Sequence, residues 1–120
     1  MRLPGSDHPI TIEPAQGRVR VLFGGRVVAD TGRALVLQEA SYPAVLYVPR
    51  EDTDMALLRR SSRSTHCPYK GDASYFSIEV GGGRRAEDAV WSYEQPYPAM
   101  AAIADRLAFY PDRVDAIEQG

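Results

Sequence analysis

Cysteine and lysine each occur once in the 120 residues, as Cys67 and Lys70, inside the stretch THCPYKGDASY. A single cysteine excludes an internal disulfide and a cysteine-only zinc site, and it closes dithiol redox chemistry, which needs two sulfurs. No run is long and apolar enough to cross a bilayer, and the start, MRLPGSDHPI, lacks the hydrophobic segment of a secretory signal. Nor is there an excess of positive charge. The formal net charge of −2 argues against a general nucleic-acid binder, which needs a basic face to neutralise phosphates. These absences predict a cytoplasmic protein without nucleic-acid or membrane partners. A chain of this length buries roughly two thirds of its unfolded surface. It therefore needs no structural zinc to fold, and no metal ligand set is predicted.

What is present is a succession of short alternating segments divided by turn residues, the pattern of strands. RVRVLF at 18–23 puts Val19, Val21 and Phe23 on one face, and Gly24-Gly25 supplies a tight hairpin turn into RVVADT at 26–31. A turn at Gly32 leads to ALVLQE at 34–39, and AVLYV at 44–48 forms a further strand ended by Pro49. In REDTDMALLRR the pattern changes: Asp52 or Thr53 can cap a short helix with Met55 and Leu58 inward, and SSRS at 61–64 reads as loop. SYFSIEV at 74–80 alternates with Phe76, Ile78 and Val80 on one face, and EDAVWSYEQ places Trp91 and Tyr93 together. Pro98 opens a second short helix carrying Met100, Ile103 and Leu107 at helical spacing, and LAFYPDRVDAIE reads as two strands around a Pro-Asp turn. The expected fold is mainly β. Eight or nine antiparallel strands form a sandwich, an open barrel or a pair of tilted sheets, with one or two short helices. Residues 1–9 are expected to be a flexible N-terminus before a single all-β domain at 10–118.

The chemistry of the chain concentrates near the lone lysine. Of 14 basic residues, 13 are arginine, so Lys70 stands alone in being able to lose a proton and act as nucleophile or base. Cys-Pro-Tyr-Lys looks like a glutaredoxin Cys-Pro-Tyr-Cys with the second sulfur replaced, and Gly71-Asp72 points to a turn into a strand rather than to a helix start. Monothiol chemistry at Cys67, assisted by His66 and Lys70, stands beside the plainer reading of a packed cysteine. Adjacent His66 and Cys67 would point to opposite faces of a strand, which is poor geometry for a metal. Arg50, Arg59, Arg60 and Arg63 with Lys70 and Gly71 suit an anion or a nucleotide, against the alternative of a solvated arginine-rich loop. Trp91 and Tyr93 can stack a ring or fill the core, and Glu39 at a strand end can be a general base, a metal ligand or a solvated residue.

SYPAVLYVPRED, THCPYKGDASYFSIEVGG, AVWSYEQP and AFYPDRVDAIE, in that order, resemble the mostly bacterial family catalogued as domain of unknown function 427, over roughly residues 10–118. The resemblance implies two antiparallel sheets leaning together over a pocket, the Mss4-like or β-tent class. Members are sometimes labelled nucleotidyltransferase-like. Relatives in the wider class carry paired Cys-x-x-Cys zinc knuckles, which this chain lacks. The signature positions here are Arg50, Asp52, His66, Cys67, Pro68, Lys70, Gly71, Trp91 and Tyr93.

Two expectations follow. In the first, a pocket between sheets takes a small anionic or nucleotide-like ligand. Lys70, His66 and Cys67 are the catalytic candidates, and Arg50, Asp52, Glu39, Gly71, Trp91 and Tyr93 are the ligand-binding candidates. Magnesium, held by Asp52 or Glu39, enters only if the chemistry is nucleotidyl transfer. In the second, the motif is a folding turn of a non-enzymatic interaction domain that contacts a second copy, as a homodimer, or another partner.

Overall fold

Alternation of buried and exposed side chains shapes the strands of the structure, a computed structural model that describes residues 1–120. In β2 (Val19–Phe23), Val19, Val21 and Phe23 are at most 4% exposed, while Arg20 and Leu22 turn outward. Gly24 and Gly25 then reverse the chain with φ of 58° and 76° into β3 (Arg26–Thr31). Gly24 is required twice over, because a Cβ there would lie 2.5 Å from the Val80 side chain.

Ten strands form three antiparallel sheets and no closed barrel. The first sheet holds β1 (Ile10–Pro14), β4 (Leu35–Glu39) and β5 (Val45–Tyr47), in that order. The second places β2 between β3 and β10 (Ala116–Gln119). The third runs β6 (Leu58–Cys67), β7 (Gly71–Glu79), β8 (Arg85–Ser92) and β9 (Ala108–Phe109). The mainly β architecture expected from the sequence pattern is present, its strands divided among three hydrogen-bonded sheets.

Three local expectations are corrected. Residues 61–64 are not a loop: β6 runs through them as an edge strand. Its register jumps from Arg60 opposite Phe76 to Ser64 opposite Ser74, so a bulge absorbs the extra residues. The first expected helix is two single 3-10 turns, Arg50–Asp52 and Met55–Leu57, neither with a side-chain cap. Asp52 does not cap, because its carboxylate accepts the Thr31 hydroxyl (2.7 Å) and an Arg33 N–H (3.2 Å). The second is a 3-10 segment, Pro98–Ile103, that still buries Met100 and Ile103.

β7 organises the interior because it is buried on both faces. Phe76 and Ile78, with Val80 just beyond the strand, join the larger core, together with Val19, Val21, Val28, Val48 and Val90. Ala73 and Tyr75 face a smaller core with Leu37, Tyr47, Tyr93, Met100 and Ile103. A period-2 strand thus deals Phe76 and Ile78 to one core and Ala73 and Tyr75 to the other.

Gly71 opens β7 with φ +109°, a conformation that side chains rarely adopt, and a Cβ there would meet the 95–97 backbone at 3.6 Å. Gly71→Ala is therefore expected to cost about 1–3 kcal/mol through backbone strain. Urea denaturation checks this, and an unchanged midpoint would show that the turn tolerates a side chain.

Candidate functional site

The hairpin between β6 and β7 is built so that Lys70 turns inward. Cys67 and Gly71 pair at its base, the Arg2 N–H donates to the Pro68 carbonyl (2.7 Å), and the Tyr97 N–H donates to the Lys70 carbonyl (3.0 Å). Held on both sides, the turn buries Lys70 to 7% exposure. Its ammonium donates to the Glu39 carboxylate at the end of β4 and lies 5.8 Å from the centre of the Tyr93 ring. The other Glu39 oxygen is 2.7 Å from His8 Nε2. The His8 ring stacks on Tyr69 of the same hairpin at 4.1 Å, nearly parallel. Burial pushes Glu39 up, but the hydrogen bonds and charges of Lys70 and His8 outweigh it and hold the carboxyl below its usual value.

Lys70 and Glu39 close one end of a cavity of about 220 Å³ between the first and third sheets. Its walls are aromatic: Tyr47, Tyr75, Trp91, Tyr93 and Tyr110. Trp91 tilts against Tyr110 with centroids 4.5 Å apart, and its indole N–H reaches toward the Tyr47 hydroxyl at 3.4 Å. Burial raises the Tyr47 and Tyr93 phenols above their ordinary values and pushes Tyr110 up to about 12. Tyr75 goes the other way. Burial opposes its ionisation, yet Thr65, Tyr110 and Arg63 draw it down, Thr65 Oγ1 standing 3.0 Å from its hydroxyl and the Arg63 guanidinium 4.9 Å from its ring centre.

Of the residues singled out from the sequence, Lys70, Glu39, Trp91 and Tyr93 meet in this cavity. The others do not. Arg50 lies at a separate junction, donating to the Asp105 carbonyl (2.6 Å), the Ser92 hydroxyl (3.0 Å) and Glu94 (3.0 Å). Asp52 serves Thr31 and Arg33. His66 is on the outer side of the hairpin, with Nδ1 2.7 Å from Asp72. Cys67 is a free, half-buried thiol packed against the smaller core. Gly71 shapes the turn. The arginines of the expected anion site are also engaged: Arg60 grips Glu94 through two N–H groups at 2.9 and 2.7 Å, and Arg59 stands 3.6 Å from Glu79.

Sequence reasoning passed over His8, Tyr47, Tyr75 and Tyr110. A signal for the tyrosines existed. The chain has seven tyrosines against three phenylalanines, and five of the seven line this cavity. Phenols are retained where a ring must be buried while its hydroxyl meets a polar partner.

A mainly β protein of three antiparallel sheets, with an aromatic-walled cavity closed by a buried lysine–glutamate pair, is the class that fold and geometry define. Residues 11–120 match the family described as NTP_transf_9, domain of unknown function DUF427, and the chain belongs to that family. No curated protein matches it. No helix is long and apolar enough to cross a membrane.

The Arg50–Glu94–Arg60 junction makes a prediction about acid stability. Arg60's paired N–H groups, with Ser74 and Arg50, overcome partial burial and hold Glu94 at about 2, against 4.5 ordinarily. A depressed carboxyl contributes stability above its unfolded value and loses it as pH falls toward the folded one. Stability from this group is thus complete at pH 6 and declines between about 4.5 and about 2. Glu94→Gln should be less stable at pH 6 and should lose less between pH 6 and pH 3 in urea titrations. Equal pH slopes for the two proteins would refute the assignment.

Proposed function

We propose that the protein binds a small, ring-bearing molecule in the cavity between the first and third sheets, with Lys70 and Glu39 hydrogen-bonding its polar end. The observation that carries this is a buried ion pair at the end of an aromatic-walled space. Burying two charges costs several kcal/mol per ion, and an apolar pair of similar volume is often as stable or more so. Concave sites with a few convergent polar groups on apolar walls are the usual place for a small ligand.

The charge balance narrows the ligand. Glu39 compensates Lys70, so the cavity offers one donor cluster and one acceptor cluster rather than net positive charge. A flat heterocycle or amide that both accepts and donates fits this better than a polyphosphate. In a nucleotide, the base and not the phosphates would enter. Nucleotidyl transfer has less behind it, since Arg50 and Asp52 are committed to other contacts. Asp52 lies outside the cavity and is paired with Arg33, and the charge of Glu39 is matched by Lys70, so the two carboxylates do not converge on a magnesium ion.

The folding-turn alternative predicts a different stability. Replacing the pair by Lys70→Met with Glu39→Gln removes both charges and keeps a partner for His8. If the pair serves a ligand, the double variant is as stable as the wild type or more so by about 1–2 kcal/mol. A panel of nucleosides and aromatic amides then raises the Tm of the wild type and leaves that of the variant unmoved. A double variant destabilised by more than about 2 kcal/mol, with no panel member shifting the wild type, would assign the pair to folding.

A further inference from the structure

A second cavity, of about 530 Å³ and almost wholly apolar, adjoins the first. It sits where the three sheets meet: Val19 and Val21 come from β2, Leu46 from β5, Phe109 from β9 and Ile117 from β10. The two spaces share the walls Tyr42, Pro43, Val45 and Trp91. Polar side chains able to fix a ligand, Lys70 and Glu39, stand only in the smaller one.

Building on the reading above, we propose that the two cavities form one bipartite site whose ligand is an amphiphile. A flat, uncharged hydrogen-bonding head lies against Lys70 and Glu39, and a hydrocarbon arm lies between the three sheets. Continuity through four shared residues, and the confinement of polar groups to one end, carry the inference. A soluble heterocycle alone would leave the larger space without an occupant, and an arm there removes its apolar surface from water.

Trp91 is the only tryptophan in the chain and lines both cavities, so its fluorescence reports on the site without a label. The probes are benzamide and 4-alkylbenzamides with one to six carbons in the chain. Benzamide should change Trp91 emission saturably, and each added methylene should tighten binding about fourfold until the arm fills its chamber. The exposed rim residue Ala44 lines only the apolar cavity. Ala44→Trp should therefore keep benzamide binding and abolish the chain-length gain, read by calorimetry because the variant carries a second indole. Lys70→Met with Glu39→Gln should weaken every member of the series by a similar factor.

Benzamide binding with no gain from the chain would overturn the bipartite site and leave the smaller pocket standing. Binding that rises with chain length but ignores the double variant would separate the chambers and remove Lys70 and Glu39 from the site. No binding by any member would overturn both proposals. Concentration-dependent dimerisation lost in Ala44→Trp would assign the apolar chamber to a second copy of the chain.

Discussion

The ion pair between Lys70 and Glu39 ties the first sheet to the third, whose backbones also meet at the reciprocal Val48–Leu107 hydrogen bonds beside β5 and β9. Glu39 ends β4 in the first sheet, and Lys70 sits in the hairpin that begins β7 in the third. Placing the ammonium there dictates much of its surroundings. The hairpin must turn sharply, which is why Gly71 adopts φ +109°. The carbonyl of Lys70 must be satisfied from outside the hairpin, and the Tyr97 N–H does so. The second Glu39 oxygen must find a donor group, and the N-terminal segment brings His8 to it, braced on Tyr69. A buried charge left without its partner would cost about 3–5 kcal/mol.

The packing allows the pair to face a space rather than a filled core. β7 sends Phe76 and Ile78 to the larger core, which holds no tyrosine, and Ala73 and Tyr75 to the smaller one, where Tyr47, Tyr75 and Tyr93 gather, so the two interiors differ in chemistry although a single strand separates them. Tyrosines that meet across the smaller interior cannot close-pack as aliphatic side chains do, because their hydroxyls need partners and their rings prefer edge or tilted contacts. Stability is supplied elsewhere. The larger core holds most of the fully buried valines, and Glu94 gathers Arg50 and Arg60 at the far end of β8, with both guanidiniums within 5.4 Å of the Phe76 ring centre.

The strands were legible in the sequence wherever period-2 alternation met a glycine turn, as in Val19–Phe23 with Gly24-Gly25. The β6 edge was not, because Ser61, Ser62 and Arg63 carry no apolar alternation and the strand persists there only through a bulge. Lys70 was legible as an anomaly of composition, and Trp91 and Tyr93 as a shared face. Arg50 and Asp52 misled for a physical reason. A guanidinium that binds a ligand and one that binds a carbonyl and a carboxylate look alike until the partners are known. His8 was illegible because its partner is 31 residues away and only the fold brings them together.

Because the chain contains one lysine, protein labelled with side-chain ¹⁵N-lysine gives a single ammonium resonance in NMR. Burial against Glu39 and the tyrosine rings predicts a visible, slowly exchanging NH₃⁺ signal at neutral pH. Aromatic ring currents should shift it, and in Glu39→Gln it should broaden and lose its protection. A fast-exchanging signal at the position of a solvated lysine, indifferent to Glu39→Gln, would contradict the buried pair and the site built on it.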